Sequence, residues 1–172
     1  MQLASMWAHE ICAGLRKLLE PENEVIGSVG DGRTLLKAAA DLKPDLVIVD
    51  IGMPLLNGLD AVRELRKSSP SARIVFLTMN MDSDVASEAL RIGASGYLLR
   101  TSREEELLQA IRNAMKGTSY VSSQIRDALE ESFIRDPRSR NRSRHLTKPP
   151  IAGLADAGRG PFDEGDRQHP GL

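Results

Sequence analysis

Three residues of this chain have side chains that could act together on a phosphoryl group. Asp50 ends the apolar run Leu46-Val47-Ile48-Val49, Thr78 follows Ile74-Val75-Phe76-Leu77, and Arg100 follows Gly96 to Leu99. A carboxylate can attack phosphorus as a nucleophile and become an acyl phosphate. A hydroxyl and a cation can hold the phosphoryl oxygens while it does so. Taken singly, the first two have plainer explanations: an Asp after a buried strand is often a cap, and Thr78 is an ordinary strand residue. Tyr97, three residues before Arg100, is by itself ordinary core. The chemistry needs all three brought to one edge.

A doubly wound α/β domain would do this, because chemistry in an open parallel sheet collects outside the carboxyl ends of the strands. The two apolar runs are short, continuous and rich in β-branched residues, the pattern of strands covered on both faces. Glu24 to Val29 and Gly96 to Leu99 read as weaker strands. Helical stripes lie between them: Ile11, Leu15, Leu18 and Leu19; Leu35, Leu36, Ala39 and Leu42; Leu59, Val62 and Leu65; Val85, Ala89 and Leu90; Leu107, Leu108, Ile111 and Met115. Ser102 and Glu105 have the spacing of a capping box for the fifth helix. Gly93 and Gly96 fit a helix stop and a turn. Alternation with short connections predicts right-handed crossovers.

With 172 residues and 41% hydrophobic content, the chain can bury a core, and its net charge of −1 gives no general attraction to nucleic acid or membranes. Cys12, the single cysteine, reads as a buried thiol, and one cysteine permits no disulfide within the chain. No apolar run approaches the ~20 residues of a membrane span, and the start MQLASMWAHE lacks the features of a secretory signal. A cytoplasmic protein is expected.

The stretch PDLVIVDIGMPLLNGLDAVREL, followed by IVFLTMN and GASGYLLR, resembles the receiver domain of NarL/FixJ-type two-component response regulators, over roughly residues 13–121. The resemblance implies a flavodoxin-like, doubly wound, five-stranded parallel sheet in the order 2-1-3-4-5. It implies that Asp50 is the phospho-acceptor, Thr78 and Tyr97 the switch pair, and Arg100 the phosphoryl-contacting cation. Gly52, Met53, Pro54, Asn57 and Gly58 form the loop after the acceptor. It also implies a histidine kinase as partner, a homodimer as an option, and Mg²⁺ bound by acidic side chains with a backbone carbonyl near Gly52. In that role the metal residues carried by this chain are Asp50 and Gly52.

Three departures stand against the pattern. The family's opening strand ends in an acidic pair, and counting back from Gly14-Leu15-Arg16 places that pair near Met6 and Trp7, which cannot ligate a hard cation. His9 and Glu10 would sit at the start of the helix instead. The family carries Lys where Arg100 stands, and a guanidinium does not reproduce an ammonium. MQLASMW has few β-branched residues for a strand that must lie mid-sheet, so the opening strand is atypical. Weakened Mg²⁺ binding, with slow or absent phosphorylation of Asp50, is expected.

The receiver reading assigns residues 1–121 to that domain, 122–136 to an amphipathic linker helix, and 137–172 to a basic linker and disordered tail. Arg135, Arg138, Arg140, Arg142 and Arg144 supply the basic character, read as a solvated linker rather than a nucleic-acid surface. Gly and Pro dominate the end. Leu146-Thr147 fits the start of the helix-turn-helix domain found in full-length relatives. Read one base out of register, the codons from Lys148 onward permit a string that looks like that domain. The expectation is a DNA-binding domain lost or out of frame, and no DNA binding by this chain.

Two other function classes fit parts of this pattern. A haloacid-dehalogenase-type phosphatase also uses an Asp after a strand but needs a second Asp two residues later as general acid; position 52 is Gly, so no enzyme is expected. A phosphorylation-independent dimerisation or adaptor module, keeping the fold without the metal site, is the alternative function.

Overall fold

The computed structural model describes residues 2–6 and 12–135, with side chains from residue 16 onward apart from 133 and 135. In chain order the elements are β1 (Gln2–Met6), α1 (Cys12–Leu19), β2 (Glu24–Val29), α2 (Gly32–Leu42), β3 (Leu46–Asp50), α3 (Gly58–Ser68), β4 (Arg73–Thr78), α4 (Ser83–Arg91), β5 (Gly96–Leu99), α5 (Glu104–Met115), β6 (Tyr120–Val121) and α6 (Ser123–Arg135). All strand pairs are parallel, in the order β2-β1-β3-β4-β5-β6. The expected order 2-1-3-4-5 is extended by a short edge strand, β6, whose two residues are too few to give a period in the sequence.

Side-chain alternation along the central strands fills two separate cores. Val47, Val49, Ile74, Phe76, Tyr97 and Leu99 face α2, α3, α4 and α6. Leu46, Ile48, Val75, Leu77 and Leu98 face α1 and α5. Every residue of β3 is buried, which is why its sequence reads as a continuous apolar run. The atypical β1 lies in the middle of the sheet, paired to both β2 and β3, and its register with β2 slips between Leu3 and Ala4 so that Ile26 has no partner. Backbone ladder bonds, rather than β-branched side chains, place it there.

Two stripes differ at their ends. Leu42 and Met115 were placed with the apolar faces, yet they are 40% and 38% exposed, and Ala114 takes the inward place beside Ile111. The capping box is also corrected. The N-cap of α5 is Arg103, which makes no side-chain cap bond, while the Ser102 amide donates to the Leu99 carbonyl at 3.0 Å and closes the turn after β5. Three acids in the first turn, Glu104, Glu105 and Glu106, offset the helix dipole instead. Cys12 begins α1, and its side chain lies outside the described residues, as do Trp7, His9, Glu10, the arginines beyond Arg135 and the whole tail.

Candidate functional site

β3, β4 and β5 end side by side. Asp50 pairs with Leu77, and Thr78 pairs with Leu99. The next residue, Arg100, donates its backbone N–H to the Thr78 carbonyl at 2.8 Å, which fixes the start of its side chain above the sheet edge. The Arg100 guanidinium reaches back across β4, and Nη1 donates to Asp50 Oδ2 at 3.1 Å. The other carboxylate oxygen, Oδ1, accepts the Gly52 N–H at 3.0 Å. Asp50 is only 4% exposed, and a carboxylate so withdrawn from water needs partners of this kind. The Arg100 Nε is buried without a partner.

The loop after Asp50 is built by close approaches. The Gly58 N–H donates to the Ile51 carbonyl at 3.0 Å. A Cβ on Gly58 would overlap the Asp50 carbonyl oxygen and lie 2.9 Å from the Ile51 Cα, so only glycine lets α3 begin this near the end of β3. Asn57 is the N-cap of α3 and accepts the Asp60 N–H at 2.9 Å. Met53 is buried in the core under the loop, and Pro54 is exposed. Leu55 has φ 64, a left-handed conformation, and is 76% exposed; a leucine carries no local signal for this strained position. Asp82 was also missed. It caps α4 by accepting from the Asp84 and Val85 N–H groups, and the signal was an acid three residues before an apolar stripe.

Thr78 is buried, and its hydroxyl and the Asn80 backbone are paired in a local turn at 3.2 Å. Tyr97 is fully buried beside Phe76, with ring centroids 6.4 Å apart and planes tilted by 52°. Its hydroxyl completes no hydrogen bond. Burial pushes the Tyr97 hydroxyl up to about 12, with the nearby Thr78 side chain pulling it down and the Asp82 charge adding to the rise.

The donor set does not suit a divalent cation. Such an ion asks for several oxygen ligands, and no group of three His, Cys, Asp or Glu converges to hold a metal among the described residues. Met6, where one acid of a metal-binding pair is expected, ends β1 beside Val49, and a thioether is not a hard donor. A doubly charged ion ~3 Å from one carboxylate gains about 11 kcal/mol at an effective dielectric of ~20, and loses on the order of 7 kcal/mol to a guanidinium ~4.5 Å away. The remainder must still strip water from the ion. Asp50 and the Gly52 carbonyl, with Arg100 in place, are a poor fit.

Residues 8–112 match the family described as the response regulator receiver domain. The chain is 37% identical over 106 residues to the response regulator GacA of Pseudomonas aeruginosa, covering 62% of this chain and 50% of that protein. It is 34% identical over 154 residues to the transcriptional regulatory protein MctR of Rhizobium johnstonii, covering 85% of this chain and 68% of that protein. Among solved structures, a two-component response regulator of the LuxR family from Aurantimonas sp. superposes with a TM-score of 0.73 at 29% identity, over 77% of this chain and 97% of that one. The chain thus spans half the length of GacA.

Proposed function

The chain belongs to the response regulator receiver domain family, and from that premise we propose that Asp50 accepts a phosphoryl group from the phosphohistidine of a histidine kinase. Phosphorylation by a kinase is the norm of the family, its members often dimerise, and receiver domains are generally not enzymes. A carboxylate oxygen of Asp50 forms the new bond to phosphorus as the phosphorus–nitrogen bond breaks, and the imidazole leaves with the electron pair. Arg100 and the Thr78 hydroxyl hold the charge on the transferred group, and Thr78 and Tyr97 form the switch. Gly52, Met53, Pro54, Asn57 and Gly58 shape the acceptor loop. One observation carries this reading: the Arg100 guanidinium sits on the Asp50 carboxylate at the strand ends, with Thr78 closing the strand between them.

Receiver domains typically bind Mg²⁺ at this site. The poor donor set supports weakened Mg²⁺ binding here and slow transfer. The same feature favours the second reading, a phosphorylation-independent dimerisation or adaptor module. The receiver domain is assigned to residues 1–121, the following helix to 122–136 and the basic segment and tail to 137–172; DNA binding is not assigned to this chain. No helix among the described residues is long and apolar enough to cross a membrane, and the cytoplasm is the expected location.

Phosphotransfer from a panel of histidine kinases, with and without Mg²⁺, and labelling by acetyl phosphate test both readings. Slow labelling that depends little on Mg²⁺ and disappears in Asp50→Asn is expected. Fast, strongly Mg²⁺-stimulated labelling would overturn the impairment. No labelling from any donor, together with a dimer that a phosphoryl mimic leaves unchanged, would favour the adaptor.

A further inference from the structure

We infer that Arg100 is the resident counter-cation of Asp50 and the residue that keeps divalent cations out of the acceptor site. The inference rests on the reading of Asp50 as the acceptor only for the meaning of the site. Its physical basis is separate. Both carboxylate oxygens of Asp50 already have donors, Arg100 Nη1 on Oδ2 at 3.1 Å and the Gly52 N–H on Oδ1 at 3.0 Å. Arg100 is tied at its backbone, where the N–H donates to the Thr78 carbonyl at 2.8 Å, and at its head, where Nη1 donates to a carboxylate that is 4% exposed. Moving the guanidinium away would leave that buried carboxylate without its cation, so the charge stays on it. No cluster of further acids offsets that charge among the described residues.

Arg100 therefore decides which cation Asp50 takes. With the guanidinium present, the pair is internally neutral and a hard divalent ion meets repulsion. With it removed, a buried carboxylate is left without its cation, and Mg²⁺ with its own waters becomes the available replacement. The Gly52 N–H bond survives this change, so the carboxylate stays aimed at the strand edge.

The experiment is calorimetric titration of the full chain with MgCl₂, as wild type, Arg100→Gln, and Arg100→Gln combined with Asp50→Asn. Arg100→Gln should bind Mg²⁺ at least about tenfold more tightly than wild type, and the gain should vanish with Asp50→Asn. No gain, or a gain that survives Asp50→Asn, overturns the inference. Should Arg100→Gln fail to fold, Arg100→Lys replaces it, because an ammonium on a flexible stem can move off Oδ2. MgCl₂ should then raise the melting temperature of Arg100→Lys and leave wild type unmoved; equal responses overturn the inference. Acetyl phosphate labelling of the same proteins reports the acceptor reading independently. No labelling of the wild type, beside tighter Mg²⁺ binding by Arg100→Gln, would remove that reading and keep this one.

Discussion

Tyr97 shows how far one residue's surroundings can set its behaviour. A buried hydroxyl without a hydrogen bond is a net burden, since it has left water and gained nothing in exchange. Tyr97→Phe removes that hydroxyl and keeps the ring beside Phe76, so it should leave stability unchanged or raise it by about 1 kcal/mol in urea unfolding. A drop of similar size would mean that the hydroxyl has a partner. The same burial gives a pH signature. The folded-state pKa, about 12, lies above the ordinary value of 10.0, so the folded chain keeps the proton longer than the unfolded chain does. The stability tied to this group is fully present below pH 10 and is lost as pH rises toward 12. Tyrosinate absorbance during alkaline titration should show this late step in the wild type and lose it in Tyr97→Phe. The identity and rough place of Tyr97 were legible from the GASGYLLR stretch. The orphaned hydroxyl was not, because it depends on what β4 and α4 put around it.

At the scale of elements, α3 and α4 are joined by charge as well as by packing. Glu88 on α4 accepts from Arg63 of α3 and from Arg91 one turn along its own helix, at 2.6 and 2.7 Å, while Arg63 also pairs with Asp60. The Arg91 and Arg63 hydrogen bonds pull the Glu88 carboxyl down to about 2. A depressed acid stabilises the fold above its unfolded value near 4.5 and loses that contribution as pH falls toward 2. The two arginine side chains are 43% and 61% exposed, so solvent screens the pairs and about 1 kcal/mol is the expected scale. Glu88→Gln should lower the free energy of urea unfolding at pH 7 by that amount and flatten the acid limb of the stability profile; an unchanged acid limb would show that the bridge contributes nothing. Helical stripes in the sequence predicted both helices, but not this link. Arg63 and Glu88 are 25 positions apart, and no local period connects them. The α5 cap failed for a related reason: Ser102 had the right spacing, yet its backbone was already committed to the turn closing β5.

For the whole molecule, a single sheet with helices on both faces was legible because continuous apolar strands and alternating stripes leave few other arrangements. The contribution of the last helix was not, since an amphipathic segment does not say what it packs against. In the structure α6 lies on the main core. Ile125 is 0% and Leu129 8% exposed, in the same cluster as Tyr97, Phe76, Ala86 and Ala89. The chain enters α6 through β6, where Val121 pairs with Tyr97 and the Ser122 N–H donates to the Tyr97 carbonyl at 3.1 Å. Arg126 then donates to the Val121 carbonyl at 3.1 Å. Burial of two such aliphatic side chains stabilises by about 3–5 kcal/mol, an upper bound because the unfolded chain already hides some of this surface. A chain cut after residue 135 should therefore unfold like the full-length protein. One cut after residue 121 should lose about 3 kcal/mol and exchange its β5 amides faster, because the cut uncovers the face of the sheet that holds Tyr97. If both truncations unfold at the same denaturant concentration, α6 is a passive extension. If they differ as expected, the segment that leads out of the receiver fold also covers the sheet face at Tyr97, and Ile125→Asp in the full chain should reproduce the loss.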